Sequence, residues 1–247
     1  NWLSDPNDFV VAASGGDITG AELYGQLEHN NITLSSVAGA NAGNGDLLVN
    51  DSVAWSADTT LTLQAERNVA INQQVAASGD SAGVVITPGA GGQLLIGQDG
   101  RLDLSGNSTS LSIAGNAYQL IRNQSELTSK LAAEGGADAS GFFAIGADFS
   151  MDGAFTVRQG LASGAVLEGL GHSLSGLQSA LFDNNAGRIS NLVLDAVNIV
   201  NNDANVGALV NYTWDTSQVD HVRVFGSIRG GRSVGALVGG NQGKISD

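Results

Sequence analysis

Three tetrapeptides, Ser179-Ala-Leu-Phe182, Gly207-Ala-Leu-Val210 and Gly235-Ala-Leu-Val238, recur at a spacing of 28 residues and then 28 again. A fixed period of this size marks a chain built from stacked units, each burying its apolar face against the next. The text between the marks repeats as well. Ala186-Gly-Arg-Ile-Ser-Asn191 returns as Gln242-Gly-Lys-Ile-Ser-Asp247, two periods later. The middle copy reads Ser217-Gln-Val-Asp220 at that place, displaced by a two-residue insertion.

The first half carries a looser repeat. Val49-Asn-Asp-Ser-Val-Ala54 aligns with Ile71-Asn-Gln-Gln-Val-Ala76 at an offset of 22, and Thr60-Leu-Thr-Leu63 with Gly83-Val-Val-Ile86 at 23. Within these stretches apolar and polar residues alternate, the period of a strand with one buried face. Similar strands are expected at Gln93–Ile96, Arg101–Leu104, Leu111–Ile113 and Tyr118–Ile121. The spacers Gly43-Asn-Gly-Asp46, Ser78-Gly-Asp80, Gly89-Ala-Gly-Gly92 and Asp99-Gly100 have turn chemistry. Short strands separated by turns every 22 to 28 residues predict an all-β fold, a parallel β-helix. Roughly ten coils, at about 4.8 Å each, are expected.

One segment departs from this pattern. Ser125-Glu-Leu-Thr-Ser-Lys-Leu-Ala-Ala-Glu-Gly135 predicts one short helix near 125–134, capped by Ser125, with Leu127 and Leu131 on one face and Gly135-Gly136 as its stop. The expected organisation is therefore coils over 1–117, a junction with the helix over 118–140, and repeats of about 28 residues over 141–247, in one continuous solenoid.

Thirty-five glycines against two prolines suit this architecture. The net charge of −14 repels phosphate backbones and anionic headgroups, which argues against nucleic-acid binding and membrane docking. Without cysteine, core stacking must hold the fold. No apolar run reaches membrane-spanning length. The chain starts abruptly and stops inside a repeat, so it reads as a piece of a longer protein. Strand edges opened at its ends predict a monomer with some concentration-dependent association.

Asn31-Ile-Thr-Leu34, Gly45-Asp-Leu-Leu-Val-Asn50, Ala54-Trp55, Leu61-Thr-Leu-Gln-Ala-Glu-Arg67 and Val69-Ala-Ile-Asn72 resemble the filamentous-haemagglutinin-type exoproteins of bacterial two-partner secretion, in their high-molecular-weight adhesin branch. Tyr118-Gln-Leu-Ile121, the short helix and Phe143-Ala-Ile-Gly-Ala-Asp148 are similar to the same branch. Leu167-Glu-Gly-Leu-Gly-His-Ser-Leu-Ser-Gly-Leu177 and the Gly-Ala-Leu-Val tetrapeptides resemble the GLUG repeats of bacterial surface proteins. The resemblance implies a right-handed parallel β-helix, secretion and a cell-surface location. It also implies an outer-membrane pore as partner, engaged through an amino-terminal domain that this sequence does not contain.

Candidate chemistry is sparse. Asp220-His-Val-Arg223 is the best local cluster, but His221 and Arg223 alternate with Val222 and Val224 and should face solvent as an ordinary polar face. Asp148 and Asp152 read as turn residues, as do the scattered Asp183, Asp195, Asp203 and Asp215. His29, His172 and His221 are isolated, with no zinc or EF-hand spacing, so no metal site or cofactor is expected; calcium on turn carboxylates is the alternative. Gly89-Ala-Gly-Gly92 lacks the Lys-Ser and helix of a phosphate loop. No catalytic constellation emerges, and the chain is read as a non-enzyme.

The insertion carries the binding expectation. Asn211-Tyr-Thr-Trp-Asp-Thr-Ser217 is read as a protruding loop, in which Tyr212 and Trp214 could stack a sugar ring while Asp215 binds its hydroxyls. In the plainer reading, Trp214 folds back as a plug over the adjacent coil. Trp2 and Trp55 read as packing residues. Five Asn-x-Ser/Thr sequons, at Asn31, Asn50, Asn107, Asn123 and Asn211, are candidate glycosylation sites. The functional expectation is a surface adhesin fragment binding host or biofilm glycans or surface proteins. Behind it stand a purely structural shaft and, more distantly, a β-helix polysaccharide lyase.

Overall fold

The computed structural model describes residues 7–131, 137–151, 160–202 and 204–246. It is an all-β parallel solenoid of about seven turns with two short helices. That is fewer turns than the ten expected, because the helices and an antiparallel hairpin occupy chain that would otherwise complete coils. The chain divides into two compact units, 1–118 and 119–247.

In the first unit three parallel sheets form the walls. Phe9–Val11, Leu47–Val49, Val69–Ile71 and Leu94–Ile96 stack on one side. Val53–Trp55, Gln74–Ala77 and Arg101–Leu104 form the second. Ile32–Ser35, Thr60–Gln64, Gly83–Thr87 and Ser110–Ile113 form the third. Both sequence offsets hold residue for residue, with Val49 opposite Ile71, Val53 opposite Val75 and Leu61 opposite Val84. Alternation therefore lines up Leu34, Leu63, Ile86 and Ile113 in one buried column. Fully burying each such side chain stabilises by about 1.5–3 kcal/mol.

The glycine run at 89–92 has a packing cause. A Cβ on Gly89 would lie 1.8 Å from the Glu66 carbonyl oxygen, and one on Gly92 equally close to that of Arg67. The turn crosses the coil beneath with backbone against backbone, and Gly89 N donates to Arg67 O at 2.9 Å.

A helix not expected from the repeat pattern, α1 (Gly20–Leu27), packs against Val53–Trp55, where the succeeding coils pair strands. Thr19 caps it in a box with Glu22, and Leu23 and Leu27 are fully buried. The Thr-x-x-Glu signal is present in the sequence. The helix covers a strand edge that would otherwise be open to pairing. Past Ile113 the chain reverses through Ala114 and Gly115, both at positive φ, into an antiparallel pairing with Asn116–Tyr118. Two positive φ angles are what a tight two-residue hairpin turn demands.

In the second unit Gln119–Ile121, Phe142–Ile145, Val166–Glu168, Arg188–Ser190, Gln218–Asp220 and Lys244–Ser246 stack in parallel. Phe143, Leu167, Ile189 and Val219 make its buried column. A second wall comprises Phe149–Ser150, Ser173–Ser175, Val193–Val200 and Arg223–Arg229. The third, Phe182–Asn185, Val210–Thr213 and Val238–Asn241, carries the 28-residue period directly, with Phe182, Val210 and Val238 in register.

Helix α2 (Gln124–Leu131) buries Leu127 and Leu131 as expected. Its cap differs from the expectation. Asn123, not Ser125, accepts the Glu126 amide proton, at 2.9 Å, and Ser125 lies inside the first turn. The Asn carboxamide reaches the N3 amide from outside the helix, whereas Ser125 would cap only a helix starting later. The expected glycine stop at 135–136 lies outside the described residues, as do Trp2, Asp152 and Asp203.

Candidate functional site

The insertion site is built on the third wall of the second unit. Asn185, Thr213 and Asn241 occupy equivalent positions in successive coils, and pairing resumes at Arg188, Gln218 and Lys244. The outer two coils therefore cross this corner with two residues, the middle one with four: Trp214, Asp215, Thr216 and Ser217. This corrects the expectation of a protruding seven-residue loop. Asn211, Tyr212 and Thr213 stay in the strand because ladder pairing to both neighbours holds them, and the surplus is confined to one tight turn. Trp214 N donates to Asn185 O at 2.9 Å, Ser217 N to Trp214 O at 3.0 Å, and the Thr216 hydroxyl to Ala186 O at 2.8 Å.

The same turn explains a polar column that is buried at Asn185, Thr213 and Ser217 and exposed at Asn241. Asn185 and Asn241 each fold their side chains back on a glycine two residues on, at Gly187 and Gly243. The middle coil has Thr213 instead, which is buried and donates to Asn241 Oδ1 at 2.6 Å. The longer turn brings in Ser217, also buried, whose Oγ accepts from Asn185 Nδ2 at 2.7 Å. Among the described residues no buried side-chain polar atom lacks a partner.

The two aromatics meet edge to face, with ring centroids 5.0 Å apart and planes at 75°. Their roles differ. A Cβ on Gly240 would lie 2.8 Å from Tyr212 Cδ2, so the tyrosine ring rests against the next coil at the position where that coil has only a hydrogen. Trp214 remains 47% exposed, and Asp215 beside it is exposed. Asn211 donates to Asp183 of the neighbouring coil at 3.2 Å. A half-exposed indole, a free-standing carboxylate next to it and an Asn–Asp pair nearby are suited to stacking on a pyranose ring and accepting from its hydroxyls.

The other candidates do not converge. Asp220 is held by the Arg188 guanidinium, at 2.9 Å, and by the Ser246 hydroxyl. His221 sits in a left-handed corner at φ 50 and is exposed, and Arg223 is exposed on the following strand. Asp148 accepts from the Ser173 amide at 2.7 Å and lies 3.1 Å from Nδ1 of the fully buried His172. Trp55 is buried, and its indole donates to Thr59 O. Among the described residues no three carboxylate or imidazole side chains cluster so as to hold a metal ion.

Each of the five sequon asparagines already works in the fold. Asn31 Oδ1 accepts from the Thr60 amide and Asn50 Oδ1 from Asn72 Nδ2. Asn107 donates to Asp80, Asn123 caps α2, and Asn211 donates to Asp183.

Two ionisable groups stand out by environment. Burial pushes the Glu168 carboxyl above its ordinary range, against hydrogen bonds from Ser190, Asn191 and the Leu170 amide and the field of Arg188. Asp46 is lowered, chiefly by the Arg67 guanidinium and with help from the Asn68 amide. Sequence reasoning passed over Glu168; its only local signal is a carboxylate between the inward Leu167 and a glycine. Comparison with protein families, with curated proteins and with solved structures finds no match to this chain.

Proposed function

We propose that this chain is a non-catalytic binding segment of a secreted bacterial surface adhesin, with a glycan as its ligand. The observation that carries the reading is the Trp214–Asp215 turn. It is the one corner of the three in-register coils enlarged by two residues, and it holds a half-exposed indole beside a carboxylate. Stacked coils supply a rigid mount, which limits the entropy lost when a sugar is bound. The resemblance to two-partner-secretion exoproteins supports the surface location, the secretion-pore partner and the adhesive role.

The test is binding of the purified chain to a panel of neutral and acidic glycans, with calcium and with chelator, beside Trp214→Ala and Asp215→Asn. Binding that Trp214→Ala lowers by tenfold or more supports the reading, and the calcium and chelator arms report any cation requirement. Absence of binding to every glycan refutes it. In that case the structural shaft is the better account, favoured by the complete pairing of buried polar groups among the described residues.

A further inference from the structure

Charge is distributed unevenly along this acidic chain. Four of its ten basic residues, Arg223, Arg229, Arg232 and Lys244, fall within 221–246, a stretch that contains none of its 24 acidic residues. The strand Arg223–Arg229 organises two of them. Val222, Val224 and Ile228 pack against the core, so the two-residue period sends Arg223, Phe225, Ser227 and Arg229 to the outer face. All four are exposed, Phe225 by 53%.

The prominence of Phe225 has a local cause. In the neighbouring strand two residues, Asp195 and Ala196, oppose Phe225 alone, and the register shifts there. Ala196 takes φ 48 and Gly226 φ 142. A Cβ on Gly226 would lie 2.1 Å from Val197 O, so the bulge admits glycine only. Bulges re-aim side chains, and this one stands a phenyl ring between two guanidinium groups. Among the described residues Arg223, Arg229 and Arg232 form no ion pair, although the chain is rich in carboxylates.

We propose that the outer face of the strand Arg223–Arg229 binds an anionic polysaccharide, with Arg223 and Arg229 holding carboxylates along the polymer and Phe225 packing on a sugar ring between them. Six residue steps separate the two arginines, about 20 Å at about 3.3 Å each. One small anion cannot bridge that distance, so the ligand is extended. Guanidinium forks match planar carboxylates bidentately, and a phenyl face suits the C–H face of a pyranose. A nucleic acid strand carries about one charge per 3.4 Å, and the net charge of −14 opposes such density. A polyuronate, with at most one carboxylate per sugar, meets less repulsion and is drawn to Arg223 and Arg229, although the exposed Asp195 lies on the strand beside them. The stripe stands perpendicular to the sheet, so strand pairing at the sheet edge would leave it open. It lies on a different strand from Trp214, so this proposal stands or falls apart from the turn site.

The experiment titrates the purified chain with alginate, a neutral β-glucan and single-stranded DNA at low and moderate salt. Arg223→Gln/Arg229→Gln, Phe225→Ala and, as an exposed aromatic outside either site, Tyr24→Ala are run in parallel, with thermal melts to confirm that each is folded. The expected result is alginate binding that weakens with salt, falls at least tenfold in the double arginine variant and several-fold in Phe225→Ala, and survives in Tyr24→Ala. Alginate binding that is absent, unchanged in the double variant or equalled by the neutral glucan overturns the proposal, and so does equal binding of DNA. Salt-sensitive self-association of the chain alone, abolished by the arginine substitutions, would reassign the stripe to a second copy and equally overturn it.

Discussion

Truncating Ile189 to alanine tests the stacking argument most directly. Ile189 is fully buried and lies in register between Leu167, also fully buried, and Val219 at 1% exposure. The change removes three carbons, worth about 2.4 kcal/mol at about 0.8 kcal/mol each. The cavity adds to this, since backbone ladders to Leu167 and Val219 keep the coils from collapsing into it. Large-to-small changes of this kind cost about 2–5 kcal/mol, and about 3–4 is expected here. Ile245 occupies the same column but is 42% exposed, so Ile245→Ala should cost under about 1 kcal/mol. Urea denaturation followed by circular dichroism gives both values, with the slope as a check on the extent of unfolding. Equal losses at the two positions, or a loss under about 1 kcal/mol at Ile189, would falsify the view that this column is the core.

Glu168→Gln should change the pH dependence of stability. A carboxyl raised in the folded state contributes fully below its unfolded value of about 4.5, and that contribution is lost as pH rises through the folded value. Urea midpoints of the variant should therefore gain on wild type as pH rises above about 4.5; parallel profiles would mean that burial does not raise the Glu168 carboxyl. Asp46→Asn should show the opposite sign, losing stability at neutral pH and converging with wild type as acid protonates the carboxylate that Arg67 holds low. Gly89→Ala should destabilise by several kcal/mol, because its Cβ would meet the Glu66 carbonyl; a melt within a degree or two of wild type would show that the turn can lift away. Asn123→Ala should cost about 1 kcal/mol through the α2 cap, and Ser125→Ala almost nothing; the reverse order in thermal melts would restore Ser125 as the cap.

Register and period were legible in the sequence because solenoid stacking is nearly one-dimensional. Val49 faces Ile71, Phe182 faces Val210 and Val210 faces Val238, at the spacings the sequence displays, since each coil pairs only with its neighbours. The two-residue surplus before Gln218 was legible for the same reason. The form it takes was not. Whether extra residues protrude or tighten into a turn depends on how far ladder pairing extends on either side, and here it runs through Thr213. Only the tertiary structure divided the work of the aromatics, with Tyr212 against Gly240 and Trp214 half in solvent, because the absent side chain belongs to another coil. The same holds for Phe225, whose exposure depends on a bulge in the strand beside it, and for Glu168, whose pKa is raised by burial that no local motif records. Sequence fixes which residues face inward through periodicity. What stands beside them across coils is a property of the stack.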